Sequence, residues 1–488
     1  MIDYKSADCQ LKKSNRVINE HSANMSSRFS KTDAFNCDEL LHLCQLMMNS
    51  TNSENVVELI NIIRKSYAKF QDENLLNIFD ELNIFRFIIT NAYLEDALVS
   101  SSSILFIVSF TATNENLAQL FIENGLFYLI SEILQEKHVH SNILVKDAIS
   151  IIVNLSCFCD TYIKRAWRVF TPNLFFEQIS SKNFEIIKIC AKFAANSLQL
   201  CTIESIIEVS LNGLYKILEL NNPEISIIAL HGLSKYLDSP CFNKLLFTKI
   251  NLQKSIEIIF PLISNNQSLS TENLNDNLHN ELNNKFNCDL NNRLNKLNGY
   301  DNLFIQACLV IGKMNQKKCI TEFSTEQLFP LLDCNRPKLQ EIAFWCLKCA
   351  LVQNSIIDFP KLIDFLLGIC KDKLHQATFN VLVYEADALL SILPKVEYKI
   401  FKQFVENGII ELFVKFLLIE NFQIQKDTLR VMSNFCSIAA AHNESENIKK
   451  LFIQAEGVET LRELIDRNCD SQIDKAIFKF IEMIDIKL

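Results

Sequence analysis

From Asn55 onward, apolar residues recur at i, i+3, i+4 and i+7 along almost the whole chain. VVELINIIRKSYAKF (Val56–Phe70) and NLLNIFDELNIFRFII (Asn74–Ile89) are clear cases. That spacing places them on one face of a helix. No period-two alternation is sustained between Gly or Pro clusters, so the pattern predicts an all-α chain. Some segments return. FIENGLFYLISEIL (Phe121–Leu134) reappears nearly unchanged as FVENGIIELFVKFL (Phe404–Leu417), with a shorter relative, SLNGLYKIL, at Ser210–Leu218. In each, and again at Gly457, a glycine follows one helical run and precedes the next. Glycine tolerates the positive φ of a helix C-terminus, so a stop and restart is expected at Gly125, Gly213, Gly408 and Gly457.

The longer apolar runs share a small-plus-aliphatic pattern that sets them in register. Equivalent positions fall at Ser109, Asn154, Asn196, Lys235, Lys313, Cys349, Ile392 and Asn434, with gaps of 45, 42, 39, 78, 36, 43 and 42 residues. The long gap contains Ser264–Tyr300, in which 13 of 37 residues are Asn. So few bulky apolar residues cannot build a core element, and this insertion (264–300) is expected to be a disordered surface loop. Without it the gap falls in line. A period near 42 belongs to armadillo and HEAT repeats, whose units bury their apolar faces only by stacking. The expected fold is therefore a helical solenoid of roughly ten repeats over residues 54–488, with a long concave surface. Residues 1–53 are polar and balanced in charge and are expected to form a flexible N-terminal tail.

Composition narrows the function. The 488 residues carry eight Gly, eight Pro and a net charge of −9. That balance argues against direct nucleic-acid binding and suits a cationic partner. No uninterrupted apolar run reaches membrane-spanning length and no signal-peptide layout opens the chain, so a soluble intracellular protein is expected. The 17 Cys are dispersed. The one CxxC, Cys346 and Cys349, lies inside an apolar run with no second ligand pair nearby, so metal and redox chemistry are not expected. GxSxG, Walker-type and HExxH motifs are absent, and neither catalysis nor a cofactor is expected.

Several stretches resemble importin-α, the nuclear-import adaptor: AEGVETLRELIDRNCDSQIDKAIFKFIEMI (Ala455–Ile484) is similar to its last repeat, the two Gly-containing repeats above to its repeat starts, and IALHGLSKYLD (Ile228–Asp238) to a groove helix. The resemblance covers the chain from about Glu54. It implies an armadillo-repeat, right-handed superhelical solenoid. It further implies an adaptor that binds nuclear localisation signals of cargo, links them to an importin-β-like carrier, and works in cytoplasm and nucleus. In that family the third helix of a repeat carries Trp and, four residues later, Asn. The amide holds the backbone of a basic peptide, and the ring walls a pocket for its Lys and Arg stems. On this sequence the pattern maps to Asn154, Asn196, Trp345 and Asn434, with Asp160 and Asp238 as nearby acids. The remaining Trp positions hold Leu105, Ser150, Lys192, His231, Leu309, Ala388 and Arg430. The family's Arg/Lys-rich importin-β-binding tail is represented only by Lys12, Lys13 and Arg16. Trp167 is off register and reads as packing. An armadillo-type scaffold or regulatory subunit that has lost the signal-peptide site remains the alternative.

Overall fold

The computed structural model describes residues 37–67, 78–135, 142–181, 183–248, 258–259, 287–320, 323–334, 336–354, 356, 358–372, 378–467 and 471–485. Among these there is no β-strand, only one isolated bridge between Phe323 and Ile356. The expected tail up to residue 36 and the expected loop from 264 to 286 lie outside the described residues.

Residues fall into two compact units. The first holds the described chain up to Leu220 together with Ser239–Cys241; the second holds Asn221–Asp238 and the chain from Phe242. In the first unit the helices are α1 (Cys37–Asn49), α2 (Ser53–Tyr67), α3 (Ile84–Ala92), α4 (Ala97–Thr111), α5 (Glu115–Glu123), α6 (Leu126–Gln135), α7 (Asn142–Ser156), α8 (Asp160–Val169), α9 (Pro172–Ile179), α10 (Phe184–Leu200) and α11 (Glu204–Leu218). The second contains α12 (Pro223–Asp238), α13 (Asn287–Gln316), α14 (Pro337–Val352), α15 (Phe359–Asp372), α16 (Phe379–Ile392), α17 (Tyr398–Glu406), α18 (Ile409–Leu417), α19 (Phe422–Ala441), α20 (Ser445–Gln454), α21 (Gly457–Arg467) and α22 (Ser471–Ile484).

The three-helix repeat of an armadillo solenoid is plain in α5/α6/α7, α8/α9/α10, α17/α18/α19 and α20/α21/α22. The last, longest helix of each repeat packs on the last helix of the next. This third-helix ladder runs α2–α4–α7–α10 in the first unit and α12–α13–α14–α16–α19–α22 in the second. Each unit is thus a stretch of α-solenoid, and its core is the stack itself. Phe85, Phe106, Phe110 and Phe121 pack at ring distances down to 4.0 Å across α3, α4 and α5. Trp167 lies against Phe193 of α10 at 4.7 Å and donates its indole N–H to Ser197 Oγ at 3.0 Å, a core role as its off-register place predicts.

In a chain this poor in glycine, asparagine shapes the connections. Asp96, Asn183, Asn222 and Asn421 cap the third helices α4, α10, α12 and α19, each accepting from the backbone N–H groups two and three residues on. Such caps are worth about 1 kcal/mol each. Asn83, Asn221, Asn354 and Asn443 adopt the left-handed backbone that other L residues avoid. Gly125 and Gly408 do so as well, at φ 99° and 89°, and they are the expected restarts.

Four sequence expectations need correction. Gly213 does not end a helix; it lies inside the continuous α11, where a Cβ would overlap the ring of Phe175. At the last restart the left-handed residue is Glu456, while Gly457 opens α21 so that Phe452 can pack against it. The tail is shorter than expected, since α1 begins at Cys37 and buries Leu40, Cys44 and Met47, an i, i+4, i+7 set. The Asn-rich loop is shorter as well, since α13 reaches back to Asn287. There Leu290, Leu294 and Leu297 keep helical spacing inside an Asn-rich composition.

Two acids, Asp147 and Glu385, are almost wholly buried, and the pKa shift is large for Glu385. Glu385 of α16 is 4% exposed, and burial raises its pKa from 4.5 to about 7, although Lys415 of α18 pulls the other way. The folded state therefore holds a proton that the unfolded state has released between these values. Its contribution to stability is complete below about pH 4.5 and is lost as pH rises through about 7. The expected loss between pH 5 and pH 8 is at most about 3 kcal/mol. Urea unfolding of Glu385→Gln should be flatter over this range than that of the wild type.

Candidate functional site

Any site built on repeats must use side chains that recur at one position on successive third helices and remain accessible. Exposure selects such a face. On α10 it carries Glu185, Lys192, Asn196 and Gln199, and on α19 it carries Gln423, Asp427, Arg430 and Asn434. The offsets agree with the sequence register on α4, α7, α10, α12, α13 and α19; on α14 Trp345 keeps its place but Cys349 is buried and Lys348 is accessible instead, and both positions fail on α16. There Ala388 and Ile392 are fully buried, and the face is formed by Asp387 and Ser391 instead. One residue is a 100° rotation of a helix. The apolar run ADALLSIL fits either rotation, so only packing decides.

The expected Asn residues have two different environments. Asn154 of α7 donates its amide N–H groups to the carbonyl of Val108 at 3.0 Å and to Thr111 Oγ1 at 3.3 Å, both on α4. Asn196 of α10 repeats this one step along, donating to Val153 O at 3.4 Å and Ser156 Oγ at 2.9 Å on α7. The carbonyl acceptor fixes the amide orientation, with Nδ2 turned toward the previous helix. These amides are cross-links between third helices, and only their Oδ1 atoms are left to accept from a ligand. Lys313 of α13 makes the same contact with a different side chain: Nζ donates to Ser234 O at 3.3 Å and Ser234 Oγ at 2.8 Å on α12, and also pairs with Asp238. Asp238 is thus already neutralised. Asn434 differs, being exposed and making no side-chain hydrogen bond among the described residues.

Trp345 of α14 is half-buried, its six-membered ring lying where a Cβ on Gly312 of α13 would be. The glycine is what allows the indole to approach the neighbouring helix this closely. Part of the ring remains accessible, so packing and ligand contact are compatible. The expected residues are not gathered in one place: Asn154 and Asn196 belong to the first unit and Asp238, Trp345 and Asn434 to the second, where α16 separates the last two. Asp160 is engaged locally, with Lys164 at 2.5 Å.

What the structure does bring together is a cleft of about 490 Å³ across α14, α16 and α19. Lys348 pairs with Asp387 at 2.7 Å, and Arg430 pairs with Asp427 at 2.9 Å. Gln423 donates to the second oxygen of Asp427 at 2.6 Å. Val352, Leu390 and Pro394 form its apolar wall. The sequence reading missed Lys348, Asp387, Gln423 and Asp427. Two signals pointed to them. Gln423, Asp427 and Arg430 are spaced at i, i+4 and i+7, on one helix face, and Lys348 and Asp387 are 39 residues apart, about one repeat.

Nothing in the cleft is arranged as nucleophile and base. Among the described residues no group of three His, Cys, Asp or Glu is placed to hold a metal ion. The CxxC thiols are buried; desolvation pushes Cys349 up to about 11 and raises Cys346 well above the ordinary range, so both stay protonated and unreactive. Among the described residues no single helix is long and apolar enough to cross a membrane.

No protein-family model matches the chain, and no curated protein does. Among solved structures it is similar to an engineered protein from a structural genomics consortium, at TM-score 0.59 and 16% identity over 93% of this chain and 100% of that one. This likeness is one of fold. Two others have TM-scores below 0.5 and add nothing to it. One is a designed armadillo repeat protein (0.37, 15% identity, 54% of this chain and 99% of that one). The other is described as a computationally designed armadillo repeat protein for modular peptide recognition (0.39, 17%, 45% and 92%).

The two environments separate the asparagines by experiment. Asn154→Ala and Asn196→Ala should each lower unfolding free energy by about 1 kcal/mol or somewhat more, whereas Asn434→Ala should stay within about 0.5 kcal/mol of wild type. Chemical denaturation of the three variants checks this. Gly312→Ala should lower the unfolding free energy by about 1–3 kcal/mol through overlap with the indole, and Trp345→Leu in the same chain should restore most of it.

Proposed function

We propose that the protein is a non-catalytic scaffold that holds an extended segment of a partner protein against the third-helix face of its second unit. The observation that carries this reading is the cleft formed by three successive third helices, each of which contributes polar or charged side chains beside an apolar wall. Packed helices lie about 8–10 Å apart, and an extended peptide advances about 3.3 Å per residue. Each step of the ladder therefore meets about three peptide residues, and side chains at fixed offsets read them in turn.

A nuclear-import adaptor is the narrower form of this reading. It is favoured by the half-buried Trp345 and the unengaged amide of Asn434 on the same ladder. Cargo would then be a basic localisation signal, and an importin-β-like carrier would move the complex between cytoplasm and nucleus. Against this form stand the exposed Lys192 and Lys235 on the third-helix faces and the commitment of Asn154 and Asn196 to cross-links.

A displayed library of random peptides panned against the full chain tests the scaffold. Selected peptides should bind the wild type and lose at least about tenfold in affinity to Ser391→Arg, which fills the cleft from a half-exposed position; circular dichroism confirms that the variant folds. Failure to select any peptide sensitive to Ser391→Arg would overturn the reading. Labelled mono- and bipartite basic signals test the adaptor. Micromolar or tighter, salt-sensitive binding that Trp345→Ala removes is the adaptor's expected result, and no binding excludes it.

A further inference from the structure

We infer that the segment held by the α14–α16–α19 cleft is acidic and aliphatic: an Asp or Glu side chain with a Val-, Leu- or Ile-like neighbour, on a partner protein. This rests on the scaffold reading and goes beyond it by naming the partner's chemistry. The net charge of the chain, −9, would suggest the opposite, a cationic partner.

The local order of charges decides it. In both ion pairs the acid is the deeper member. Asp387 and Asp427 have 26% and 24% of their side chains exposed, against 36% for Lys348 and 64% for Arg430. Each acid is already served from inside the cleft, Asp387 by Lys348, and Asp427 by both Arg430 and Gln423. A cationic side chain approaching from solvent would meet Lys348 and Arg430 first, and it could reach a carboxylate only by displacing a cation already there. A carboxylate meets the reverse. Ammonium has three N–H donors and guanidinium five, and the contacts with the cleft's acids engage only some of them on side chains that are 36% and 64% exposed. Charge-assisted bonds to such donors are among the stronger polar contacts. The uncharged wall adds the second requirement. Val352 stands one helical turn beyond Lys348 and is 56% exposed, with Pro394 exposed beside it and Leu390 forming the floor. An aliphatic side chain covering Val352 removes from water apolar surface that the fold leaves uncovered.

The test uses the full chain and synthetic peptides. Fluorescence anisotropy would compare an acidic–aliphatic peptide, its Lys/Arg counterpart, the acidic peptide with Ser replacing the aliphatic residue, and a single-stranded oligothymidine as a polyanion without side chains. The acidic–aliphatic peptide should bind at least about tenfold more tightly than each of the others, with affinity falling as salt rises. Arg430→Ala and Lys348→Met should each weaken it about tenfold; both replace half-exposed or exposed side chains, and a melting curve checks that the fold survives. Preference for the basic peptide would overturn the inference while leaving the scaffold reading intact. Equal binding of the Ser-containing peptide or of oligothymidine would overturn it too, because charge attraction alone would then suffice. If none of the four binds and the library also yields no peptide sensitive to Ser391→Arg, the scaffold reading itself fails.

Discussion

The third helices must touch closely, and the rest of the structure follows from that contact. A three-helix repeat has too little interior to bury its own apolar faces, so each third helix is covered by the next. The contact is polar as well as apolar. Asn154, Asn196 and Lys313 each place N–H donors on a carbonyl of the preceding third helix, at the same offset in each repeat. Where no donor is supplied, shape does the same work, as when Gly312 lets the indole of Trp345 pack closely on α13. The side chains that lock the ladder are drawn from the positions that a ligand-binding face would also use. Locking and binding compete for them, and in the first unit locking has taken the asparagines.

Much of the fold was legible in the sequence because its determinants are local. Helical periodicity and a 42-residue recurrence report burial on one side of stacked helices, and FIENG and FVENG mark restarts where glycine is needed for its φ. What was not legible was which job a given residue does. Gly213 lies between Asn and Leu just as the restart glycine Gly125 does, yet it serves close approach to Phe175 from another helix. Leu290, Leu294 and Leu297 were hidden by the asparagines around them. Asparagine itself does turn and capping work that a richer glycine content would otherwise do, as at Asn83, Asn183 and Asn421.

The site was less legible than the fold, for a physical reason. A motif gives residue types at a spacing, whereas function depends on which atoms remain unengaged. Asn154 and Asn434 are equivalent by register; one is bonded to its neighbour helix and the other is open to solvent. Asp238 looks like a free acid until Lys313, distant in sequence, is placed beside it. In α16 a one-residue error in register replaces Asp387 and Ser391 with the buried Ala388 and Ile392 and conceals the cleft.

The central claim is that three successive third helices of the second unit form a surface for an extended peptide. A crystal structure of the full chain bound to a peptide selected from the displayed library tests it most directly. The account predicts an extended peptide crossing α14, α16 and α19, with its side chains beside Lys348, Arg430 and Val352. A peptide seated on the first or second helices of the repeats, or bound as a helix away from the cleft, would contradict it.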